Sequence, residues 1–415
     1  MGDIPSHWEM RKMKFTFMER SEKGHSNEPL LAATQGHGVI LKANYESRTV
    51  EATKGLDTLK LVEIGDFVIS LRSFQGGLEY AYNRGIISPA YTVLTPTYIN
   101  KDYFKYLAKS QIFILLLKST VTGIREGQNI DYSKLKEYSL PIPPTEEQRK
   151  IGIHLDRVTA QIDKAIAQQQ RMIDLLNERK QIIIQHAVTK GLDPNAEMVD
   201  SGVEWIGEMP KGWSVYKLKH ICNAFGRIGF RGYSTSDLVE ENEGAITLSP
   251  SNMKDGGMTY EKCTYLSWKK YEESSEIKIH DGDIIFVKTG SSYGKSSIVY
   301  GLPKEATVNP QLLVFKDIRC SREFLSYVLM TNSIRNQIET SVIGGTIPTI
   351  SQNKILNFSF TCPSKGEQEN IVCKLGELIN PIKSSIKKIE KRISFLRERK
   401  QIIINEVITG KVKVS

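Results

Sequence analysis

The sequence predicts an α/β protein in which two related mixed domains alternate with two long helices. Three observations predict this order. Residues 178–184 (ERKQIII) recur identically at 398–404, apolar residues ahead of each copy keep the three-and-four spacing of a coiled coil, and the segments between carry short β-rich runs. The predicted boundaries are 1–144 for the first domain, 145–192 for the first long helix, 193–363 for the second domain and 364–415 for the second long helix.

The two long helices are related by a constant offset of 220 residues. Each would contain about 45 residues and extend roughly 70 Å at 1.5 Å per residue, which is too long to pack on one small domain. We therefore expect the two helices to pack on each other. Their predicted core comprises Ile151, Leu155, Ile162, Leu176 and Ile183 in the first copy and Ile371, Leu375, Ile382, Leu396 and Ile403 in the second.

Capping signals set the predicted ends of both helices. Thr145 with Gln148, and Ser364 with Glu367, have the spacing of a capping box, in which each side chain bonds to the backbone amide of the other residue. A glycine follows the last apolar turn of each helix, where it can adopt the left-handed conformation that ends a helix. These glycines are Gly191 and Gly410.

The two domains repeat more loosely than the helices. Residues 4–8 (IPSHW) correspond to 209–213 (MPKGW), whereas residues 65–69 (GDFVI) correspond to 282–286 (GDIIF), so the offset drifts from 205 to 217. This drift indicates insertions and deletions inside the domains. The β-rich runs and helical stretches that predict a mixed α/β fold are 67–71, 91–94, 284–288 and 312–315, and 102–117 and 322–340.

Composition argues against several classes of protein. The longest notable apolar stretch, 112–117, is far shorter than the roughly 20 residues of a membrane helix, and the N-terminus lacks the basic and then apolar pattern of a signal peptide. Five widely spaced cysteines without a Cys-x-x-Cys pair suggest neither disulfides nor a zinc site, and the seven histidines are scattered. We expect a metal-free protein of the reducing cytoplasm.

The formal charge of +9 favours an anionic partner. That charge is uneven along the chain, at +3 in 1–144, +2 in 145–192, −2 in 193–363 and +6 in 364–415. The helical segments therefore carry most of the excess. They would serve either as a positive track beneath DNA or as docking faces for acidic partners.

Three motifs resemble catalytic or nucleotide sites without completing them. Residues 290–296 (GSSYGKS) have three residues between the glycines where a phosphate loop needs four. Residues 88–91 (SPAY) lack the second proline of amino-methyltransferases, and the Glu-x-Lys at 276–278 has no evident partnering aspartate. A surface loop, a turn before a strand and a chance triplet are favoured instead, so no catalytic residue is predicted.

Glycine-rich loops offer better candidates, because they carry side chains suited to nucleic acids. Arginine can pair with guanine, and glutamine or asparagine with adenine, whereas lysine and serine more often hold phosphate. A solvated loop is the alternative for each residue. The candidates for DNA contact are Arg72, Gln75, Arg125, Gln128 and Asn129 in the first domain and Arg227, Arg231, Tyr233, Lys288, Ser291, Tyr293 and Lys295 in the second.

Three segments carry a resemblance to a known family. Residues 140–148 (LPIPPTEEQ) leading into the first long helix, the repeated ERKQIII, and the linker 200–213 (DSGVEWIGEMPKGW) resemble the specificity subunits of Type I restriction-modification systems. The resemblance covers the whole chain and is weakest inside the two domains. One departure is the N-terminus, which lacks the lead seen at 200–206. The first domain is therefore expected to lack an N-terminal extension, or to start at a different residue.

The resemblance implies an architecture. Two target-recognition domains, related by a pseudo-twofold axis, would lie at opposite ends of an antiparallel coiled-coil pair of helices. Each domain would read one half of a bipartite, asymmetric DNA site. Helix length would fix the unread gap, as dimer geometry fixes half-site spacing in other DNA-binding proteins.

The resemblance also implies partners. These are double-stranded DNA, two modification (methyltransferase) subunits and, through them, two restriction (motor-nuclease) subunits. S-adenosylmethionine, ATP and magnesium would belong to those partners, so we expect a non-catalytic scaffold without a cofactor. Two other classes stay open, namely a fused stand-alone DNA methyltransferase or nuclease and an inactive scaffold remnant.

Overall fold

The computed structural model describes residues 4–45, 55–71, 73–122, 129–227, 229–254, 257–342 and 348–414. The chain forms two compact units, and each combines one mixed domain with part of both long helices. Unit 1 comprises Met1–Arg171 and Ile389–Ser415, and unit 2 comprises Met172–Lys388. The unit boundaries therefore cut both long helices, whereas the predicted boundaries follow the helix ends.

Unit 1 consists of short strands and helices followed by the first long helix. Its strands are β1 (Glu9–Lys12), β2 (Phe17–Arg20), β3 (Leu31–Thr34), β4 (Gly38–Leu41), β5 (Lys60–Val62), β6 (Phe67–Ile69), β7 (Glu79–Tyr80), β8 (Gly85–Ile87), β9 (Thr92–Pro96), β10 (Val121–Thr122), β11 (Asn129–Ile130) and β12 (Ser139–Ile142). Its helices are α1 (Ser73–Gly76), α2 (Lys101–Leu107), α3 (Gln111–Ser119), α4 (Tyr132–Leu135) and the start of α5 (Thr145–Lys190).

The centre of unit 1 is an antiparallel sheet with the strand order β2-β9-β6-β7. Aromatic residues join this sheet to α2 and α3, since the ring of Phe67 lies 4.7 Å from that of Phe104, which lies 5.5 Å from that of Phe113. Ile151 of α5 and Ile404 of the second long helix belong to the same buried cluster. The domain core therefore includes both long helices.

Unit 2 repeats this pattern with a longer domain. Its strands are β13 (Met198–Asp200), β14 (Glu208–Pro210), β15 (Ser214–Lys217), β16 (Asn223–Gly226), β17 (Leu238–Val239), β18 (Gly244–Leu248), β19 (Met253–Lys254), β20 (Gly257–Met258), β21 (Thr264–Ser267), β22 (Ile284–Val287), β23 (Ser296–Ile298), β24 (Ala306–Val308), β25 (Leu312–Lys316) and β26 (Ser359–Cys362). Its helices are α6 (Leu218–Ile221), α7 (Trp268–Glu272), α8 (Arg322–Val328), α9 (Asn332–Ser341), α10 (Gln352–Leu356) and the start of α11 (Lys365–Ile408).

The central sheet of unit 2 has the matching order β16-β25-β22-β23 and is again antiparallel. α8 and α9 follow β25 as α2 and α3 follow β9, and β15-β26 replaces β1-β12 before the next long helix. Unit 2 adds a second sheet, β17-β21-β18-β24, with a buried cluster that includes Ile246 and Leu248. The predicted fold class, with two mixed α/β domains and two long helices, is confirmed.

Both long helices begin and end close to the predicted residues. Thr145 is the first residue of α5, whereas an N-cap residue precedes the helix. The predicted N-cap therefore lies one residue too late. Ser364 does precede α11, and its Oγ accepts the amide of Glu367 at 3.4 Å. Gly191 and Gly410 have φ values of +75° and +71°, the left-handed conformation expected after a helix.

Most of the predicted helix core is protected from solvent. In the repeated heptapeptide, the fully buried residues are Ile184 and Ile404, one position later than predicted. α11 continues through Pro381 between the buried Ile379 and Ile382, so packing outweighs the helical hydrogen bond that proline removes. The predicted core residues are buried at Ile151, Leu155, Ile371, Leu375 and Ile382 and half-buried at Ile162, Leu176, Ile183, Leu396 and Ile403.

A buried glutamine at the start of each long helix ties that helix to a domain. In unit 1, Gln148 Oε1 accepts the amide of Asn100 at 2.7 Å, and Nε2 donates to the Pro143 carbonyl at 2.8 Å. In unit 2, Gln368 accepts the amide of Ser321 at 2.8 Å and donates to the equivalent prolyl carbonyl at 2.9 Å. Each glutamine therefore satisfies the amide that precedes α2 or α8.

The capping box predicted for Thr145 and Gln148 is wrong, whereas the box predicted for Ser364 and Glu367 is present in its serine half only. Gln148 uses both ends of its side chain on the domain and the preceding loop, so neither end reaches back to Thr145. The carboxylate of Glu367 instead accepts the indole N–H of Trp213 at 3.0 Å. Both side chains dock the domain onto the helix.

The far end of α11 holds the turn between α2 and α3 in unit 1. Gln401 Nε2 donates to the Lys109 carbonyl at 3.2 Å. One turn later, Asn405 Oδ1 accepts the amide of Gln111 at 3.0 Å. The two contacts bond to the end of one domain helix and to the start of the next.

The far end of α5 makes the equivalent contacts in unit 2. Gln181 donates to the Met330 carbonyl after α8, and Gln185 Oε1 accepts the amide of Asn332 at the start of α9 at 2.7 Å. Each domain is therefore fixed to the start of one long helix and to the end of the other.

We expect Gln148→Ala to lower the free energy of unfolding by about 1–3 kcal/mol, because it leaves a half-buried amide and a buried carbonyl without partners. Urea denaturation of the full chain measures the change. Arg149→Ala is the control, since the ion pair of Arg149 with Glu146 is exposed and its loss should cost less than about 0.5 kcal/mol. Equal stabilities of the two variants would show that Gln148 does not hold the domain.

Candidate nucleic-acid interface

In unit 2, three loops meet at one end of the central sheet. After β22, Lys288 donates its amide to the Gln311 carbonyl and accepts the amide of Ile350, both at 2.9 Å. Gly290 donates its amide to the Pro348 carbonyl at 3.1 Å. The loop 288–295 is therefore held between the turn before β25 and the segment that precedes α10.

This loop cluster carries an amide pair that the sequence did not single out. Asn309 Nδ2 donates to Gln311 Oε1 at 3.1 Å, and the amide of Gln311 donates to Asn309 Oδ1 at 3.0 Å. Gln311 Nε2 lies 3.3 Å from the position that a Cβ on Gly290 would occupy, so the two loops adjoin. Amide side chains can pair with adenine. The only sequence signal, Asn-Pro-Gln before a strand, is too common to have identified them.

Arg227, Arg231 and Tyr233 form a second cluster after β16. Arg227 is only 4% exposed, and its guanidinium donates to two groups of β24 at 3.1 and 3.2 Å and to the Arg231 carbonyl at 3.2 Å. It lies 5.3 Å from the Tyr233 ring, and burial lowers the pKa of Arg227. Because the protein satisfies this guanidinium, we assign Arg227 to holding the loop. Arg231 pairs with Glu276 at 3.3 Å.

The other candidates of the second domain share the loop 288–295. Lys288 is half-buried, and burial lowers the pKa of its ammonium group. Ser291 and Lys295 are exposed, Lys295 Nζ donates to the Met253 carbonyl at 2.5 Å, and Tyr293 packs against the core. The structure thus brings these four candidates together on one hairpin.

In unit 1, Gln75 is exposed on α1. Its Oε1 accepts a hydrogen bond from Gln35 Nε2 at 3.4 Å, and Gln35 lies in the turn between β3 and β4. A second loop therefore contributes an amide that the sequence did not single out. Asn129 is described only in its backbone, and the candidates outside the described residues are Arg72, Arg125 and Gln128.

Each unit has a cavity where its domain meets the long helices. The unit 1 cavity, of about 1030 Å³, is lined by β7, α2, α5, α11 and the turn after β3. The lysines that line it each have a carboxylate partner at 2.6 to 2.7 Å, in the pairs Lys105–Asp156, Lys109–Glu79 and Lys400–Asp163.

The unit 2 cavity, of about 580 Å³, lies at the equivalent place, where α5 meets β23 and the turn between α8 and α9. Its lining includes Lys180 and Gln181 of the repeated heptapeptide and Ser291, Tyr293 and Lys295 of the hairpin loop. Three of the predicted DNA-contact residues therefore face one cavity beside the long helix.

Glu79 is the most deeply buried carboxylate of the unit 1 cavity, at 1% exposure. One oxygen pairs with Lys109 Nζ, and Oε2 has no hydrogen-bond partner among the described residues. Burial raises the pKa of Glu79, although Lys109 opposes the rise. Burial therefore makes the ionised form of the Glu79 carboxyl less favourable than it would be in water.

The family model for the Type I restriction modification DNA specificity domain matches residues 8–170 and 210–394. The two matches take in most of the chain, and each spans one domain and part of the long helix after it. The chain belongs to this family. The resemblance carried by the helices and the linker is thereby confirmed.

Curated members of the family from archaea and bacteria are similar along much of the chain. The specificity subunit of the Type I restriction enzyme MjaVIII from Methanocaldococcus jannaschii is 24% identical over 361 residues, 85% of this chain and 80% of that protein. The putative MjaX specificity subunit of the same organism is 23% identical over 448 residues, 100% of this chain and 96% of that protein. The EcoKI specificity subunit of Escherichia coli K12 is 20% identical over 330 residues, 76% of this chain and 66% of that protein.

A solved chain from work on complex assembly and conformational transition of the type I R-M system has the same fold. It superposes with a TM-score of 0.68 at 14% identity and covers 99% of this chain and 100% of its own length. At that identity the likeness shows the fold alone. The side chains that touch a target are therefore argued from this chain.

The motifs that suggested other chemistry have structural explanations. Residues 88–91 form a turn into β9, in which the amide of Tyr91 donates to the Ser88 carbonyl at 3.1 Å. Glu276 lies in a short 3-10 helix and pairs with Arg231.

Within the described ranges, no group of three or more His, Cys, Asp or Glu side chains is placed to hold a metal ion. None of the helices in the described part of the chain is long and apolar enough to cross a membrane.

We expect Glu79→Gln to gain stability relative to the wild type as the pH rises. Because burial raises the pKa of Glu79, the folded chain holds the protonated form better, and stability falls as the pH rises above the ordinary value of 4.5. Glutamine does not ionise, so it removes this loss of stability, and its side-chain oxygen can still accept a hydrogen bond from Lys109. Urea denaturation between about pH 4 and pH 7 measures the trend.

Glu137→Gln is the control for this experiment. The lysine partners of Glu137 lower its pKa, so its variant should lose stability relative to the wild type over the same rise in pH. Parallel profiles for the wild type and Glu79→Gln would contradict the assignment of a costly charge to Glu79.

Proposed function

We propose that this chain serves as the DNA-specificity subunit of a Type I restriction-modification complex, in which each domain reads one half of a bipartite, asymmetric site. One observation carries the proposal. The family's specificity domain matches the chain twice, over the two segments that repeat one central sheet and one set of helix contacts. Two copies of a recognition domain, each attached to a copy of the long helix, suit a DNA target with two separated halves.

The loop cluster of unit 2 supports direct reading of bases. Asn309, Gln311 and Ser291 lie on adjoining loops, and amide and hydroxyl groups can bond base edges in the major groove. Gln35 and Gln75 offer the same chemistry in unit 1. The domain segments carry only +3 and −2, so discrimination would come from these groups instead of a diffuse basic field.

Exposed apolar residues on the long helices support assembly with two modification subunits. Leu175 and Ile182 in unit 2 are 46% and 62% exposed, and the repeat places Phe395 and Ile402, at 55% and 48%, at the equivalent positions in unit 1. A spacing of seven residues puts each pair on one helix face, which we call the helix stripe. Such a stripe suits an apolar helix of a partner. One helix stripe in each unit would bind one modification subunit.

Catalysis would then belong to the partners. We assign methyl transfer to the modification subunits with S-adenosylmethionine, and ATP- and magnesium-dependent translocation and cleavage to two restriction subunits bound through them. The complex would act on chromosomal and incoming DNA in the cytoplasm. The chain itself would supply the target sequence and the scaffold.

Methylome sequencing tests the function. The chain is co-expressed with modification subunits in a host that lacks other DNA methylation. The expected result is one motif with two specified halves and an unspecified gap, which disappears when the chain is omitted. Methylation by the chain alone would identify a fused methyltransferase, and co-purification with modification subunits without any methylated motif would identify an inactive scaffold.

Helix length should set the gap of that motif. Inserting seven residues after Gln168 in α5 and after Lys388 in α11, which are equivalent under the offset of 220, lengthens each helix by about 10 Å. The gap should grow by about three base pairs at 3.4 Å per pair, and both halves should stay unchanged. Methylome sequencing of the variant reads gap and halves together.

A flexible insertion outside the helices is the control for the claim that helix length sets the gap. Seven Gly and Ser residues placed after Pro194, in the linker between α5 and β13, should leave the gap unchanged. If the helix insertions changed the bases of either half-site, helix length would not be what sets the gap.

The helix stripe gives a second prediction. Ile182→Ser should remove one modification subunit from the complex, and Ile182→Ser with Ile402→Ser should remove both, because each substitution places a hydroxyl in an apolar contact. Native mass spectrometry of the co-expressed complex counts the subunits. Ile64→Ser, which changes a 60% exposed isoleucine in the turn between β5 and β6 of unit 1, is the control. Complexes with two modification subunits in every variant would place the docking surface elsewhere.

A further inference from the structure

An apolar groove of about 700 Å³ lies on the surface of unit 1, between α3 and the β1-β12 pair. Leu115 of α3 is 58% exposed there, and Met10 and Tyr138 are also exposed. Adjoining exposed apolar residues of this kind mark interaction surfaces. We call this surface the unit 1 groove, and its described lining residues are Ile4, Met10, Ile112, Leu115, Leu116, Tyr138 and Ser139.

The equivalent groove of unit 2 has a different lining. Gln337 lies as far from the N-cap of α9 as Leu116 lies from the N-cap of α3, and Phe358 precedes β26 as Tyr138 precedes β12. Trp205 of the linker between β13 and β14 also lines the unit 2 groove. Apart from Trp205 and Phe358, the described lining there is polar. Unit 1 alone therefore presents an apolar groove at this place among the described residues.

The replacement of Gln337 by Leu116 changes the hydrogen bonding of the groove. In unit 2, Gln337 Nε2 donates to the Ser359 carbonyl at 2.8 Å, and its Oε1 accepts the Ser359 amide at 2.7 Å. Ser139 is the equivalent residue, because the register of β1 with β12 matches that of β15 with β26. A leucine can supply neither bond. The unit 1 groove therefore offers a backbone amide and a carbonyl beside its apolar side chains.

The rim of the unit 1 groove is positively charged. Lys118 is exposed near the end of α3. Across the groove, Lys12 and Lys14 share one carboxylate, that of Glu137, at 3.0 and 2.9 Å, and Glu137 directly precedes Tyr138. Three lysines with one glutamate favour a partner segment that carries acidic residues.

The unit 1 groove also adjoins the helix stripe. Asn405, three residues after Ile402 of the stripe, accepts the amide of Gln111 at 3.0 Å. Residues three apart are neighbours on a helix surface. Gln111 is the first residue of α3, and Ile112 and Leu115 of the groove follow it. A partner bound at the helix stripe would therefore meet the groove next.

We propose that the unit 1 groove binds an acidic segment of the modification subunit that docks on unit 1, with a large apolar side chain of that segment between α3 and β1. The proposal rests on the function proposed above, because it extends the contact assigned to the helix stripe. The groove of unit 2 would make no equivalent contact, since Trp205 and polar side chains line it. The modification subunit on unit 1 would therefore bind more tightly than the one on unit 2.

The test uses full chains that keep one docking site each. Ile182→Ser should leave the site on unit 1, and Ile402→Ser the site on unit 2. Leu115→Ser is added to each, and surface plasmon resonance gives the dissociation constant of the purified modification subunit. We expect binding about tenfold weaker in the Ile182→Ser chain, because a leucine loses its burial against the partner. We expect no change in the Ile402→Ser chain.

Asn336→Ser is the matched control, because Asn336 is the exposed residue of α9 at the position that Leu115 has in α3. It should change neither dissociation constant. The thermal midpoint of the Leu115→Ser chain should match that of its parent, since the leucine is exposed in the chain alone. Unchanged binding of Leu115→Ser in the Ile182→Ser chain would overturn the proposal.

Lys118→Glu tests the charge of the partner segment. In the Ile182→Ser chain it should weaken binding by about fivefold at low salt, because it replaces an attraction with a repulsion at an exposed site. The difference should shrink at high salt, where exposed charges are screened. Equal binding at every salt concentration would reject an acidic segment.

Sedimentation velocity of the chain alone tests the other occupant. A concentration-dependent dimer of the wild type that Leu115→Ser abolishes would show that a second copy fills the groove, and the proposal would fail.

Failure of the proposed function gives a different result. If the wild type binds no modification subunit, that function fails and this inference falls with it. If two subunits bind but neither stripe variant removes one, the helix stripe alone is wrong. Leu115→Ser in the wild-type chain then decides, since it should still weaken one of the two dissociation constants.

Discussion

The architecture depends on four amide side chains that bond the long helices to the backbone of the domains. Gln148 and Gln368 satisfy the amides that precede the first domain helices, and Gln181 and Gln401 satisfy the carbonyls at their far ends. A domain helix that ends against another element needs partners for its terminal backbone groups. The long helices supply those partners from both ends, so replacing either helix would leave partly buried polar groups of the domain unpaired.

This constraint explains why the heptapeptide is repeated identically while the domains differ. Gln181 and Gln401 bond to backbone atoms, which are present whatever side chains the domain carries. A domain can therefore change its loops, and even gain a second sheet as unit 2 has done, without altering the groups that the helix binds. The helices, in contrast, must place one side chain at a fixed position. The helices and central sheets are duplicated, whereas the loops are free to vary. This arrangement suits a protein family whose members recognise different DNA sequences.

The helices were predictable because their signals are local and periodic. The capping residues and terminal glycines lie within about two residues of the observed ends of α5 and α11, although the predicted segment 364–415 runs past the end of α11 at Ile408. The role of Gln148 was not predictable, because its partner Asn100 lies on another element and the capping-box pattern explains the same residue locally. For the same reason the sequence indicated the hairpin at 288–295 but missed Asn309 and Gln311, whose proximity to it depends on how three distant loops pack. The lysine–carboxylate pairs of the unit 1 cavity also depend on three-dimensional packing, since Lys400 and Asp163 are far apart in the chain.

Nearly neutral domains have a consequence for how such a protein distinguishes its target. Affinity for any DNA rises with the number of phosphates that free cations neutralise. In unit 1 the cavity lysines are paired with carboxylates, so they add little to that general affinity. We therefore expect a domain of this kind to bind DNA weakly in general and to draw a larger share of its binding energy from the bases. Joining two such domains makes the second contact intramolecular, so that binding strengthens greatly only where both half-sites stand at the right separation. Weak general binding in each domain is therefore a condition for reading a bipartite site, and the helices that join the domains become part of the specificity.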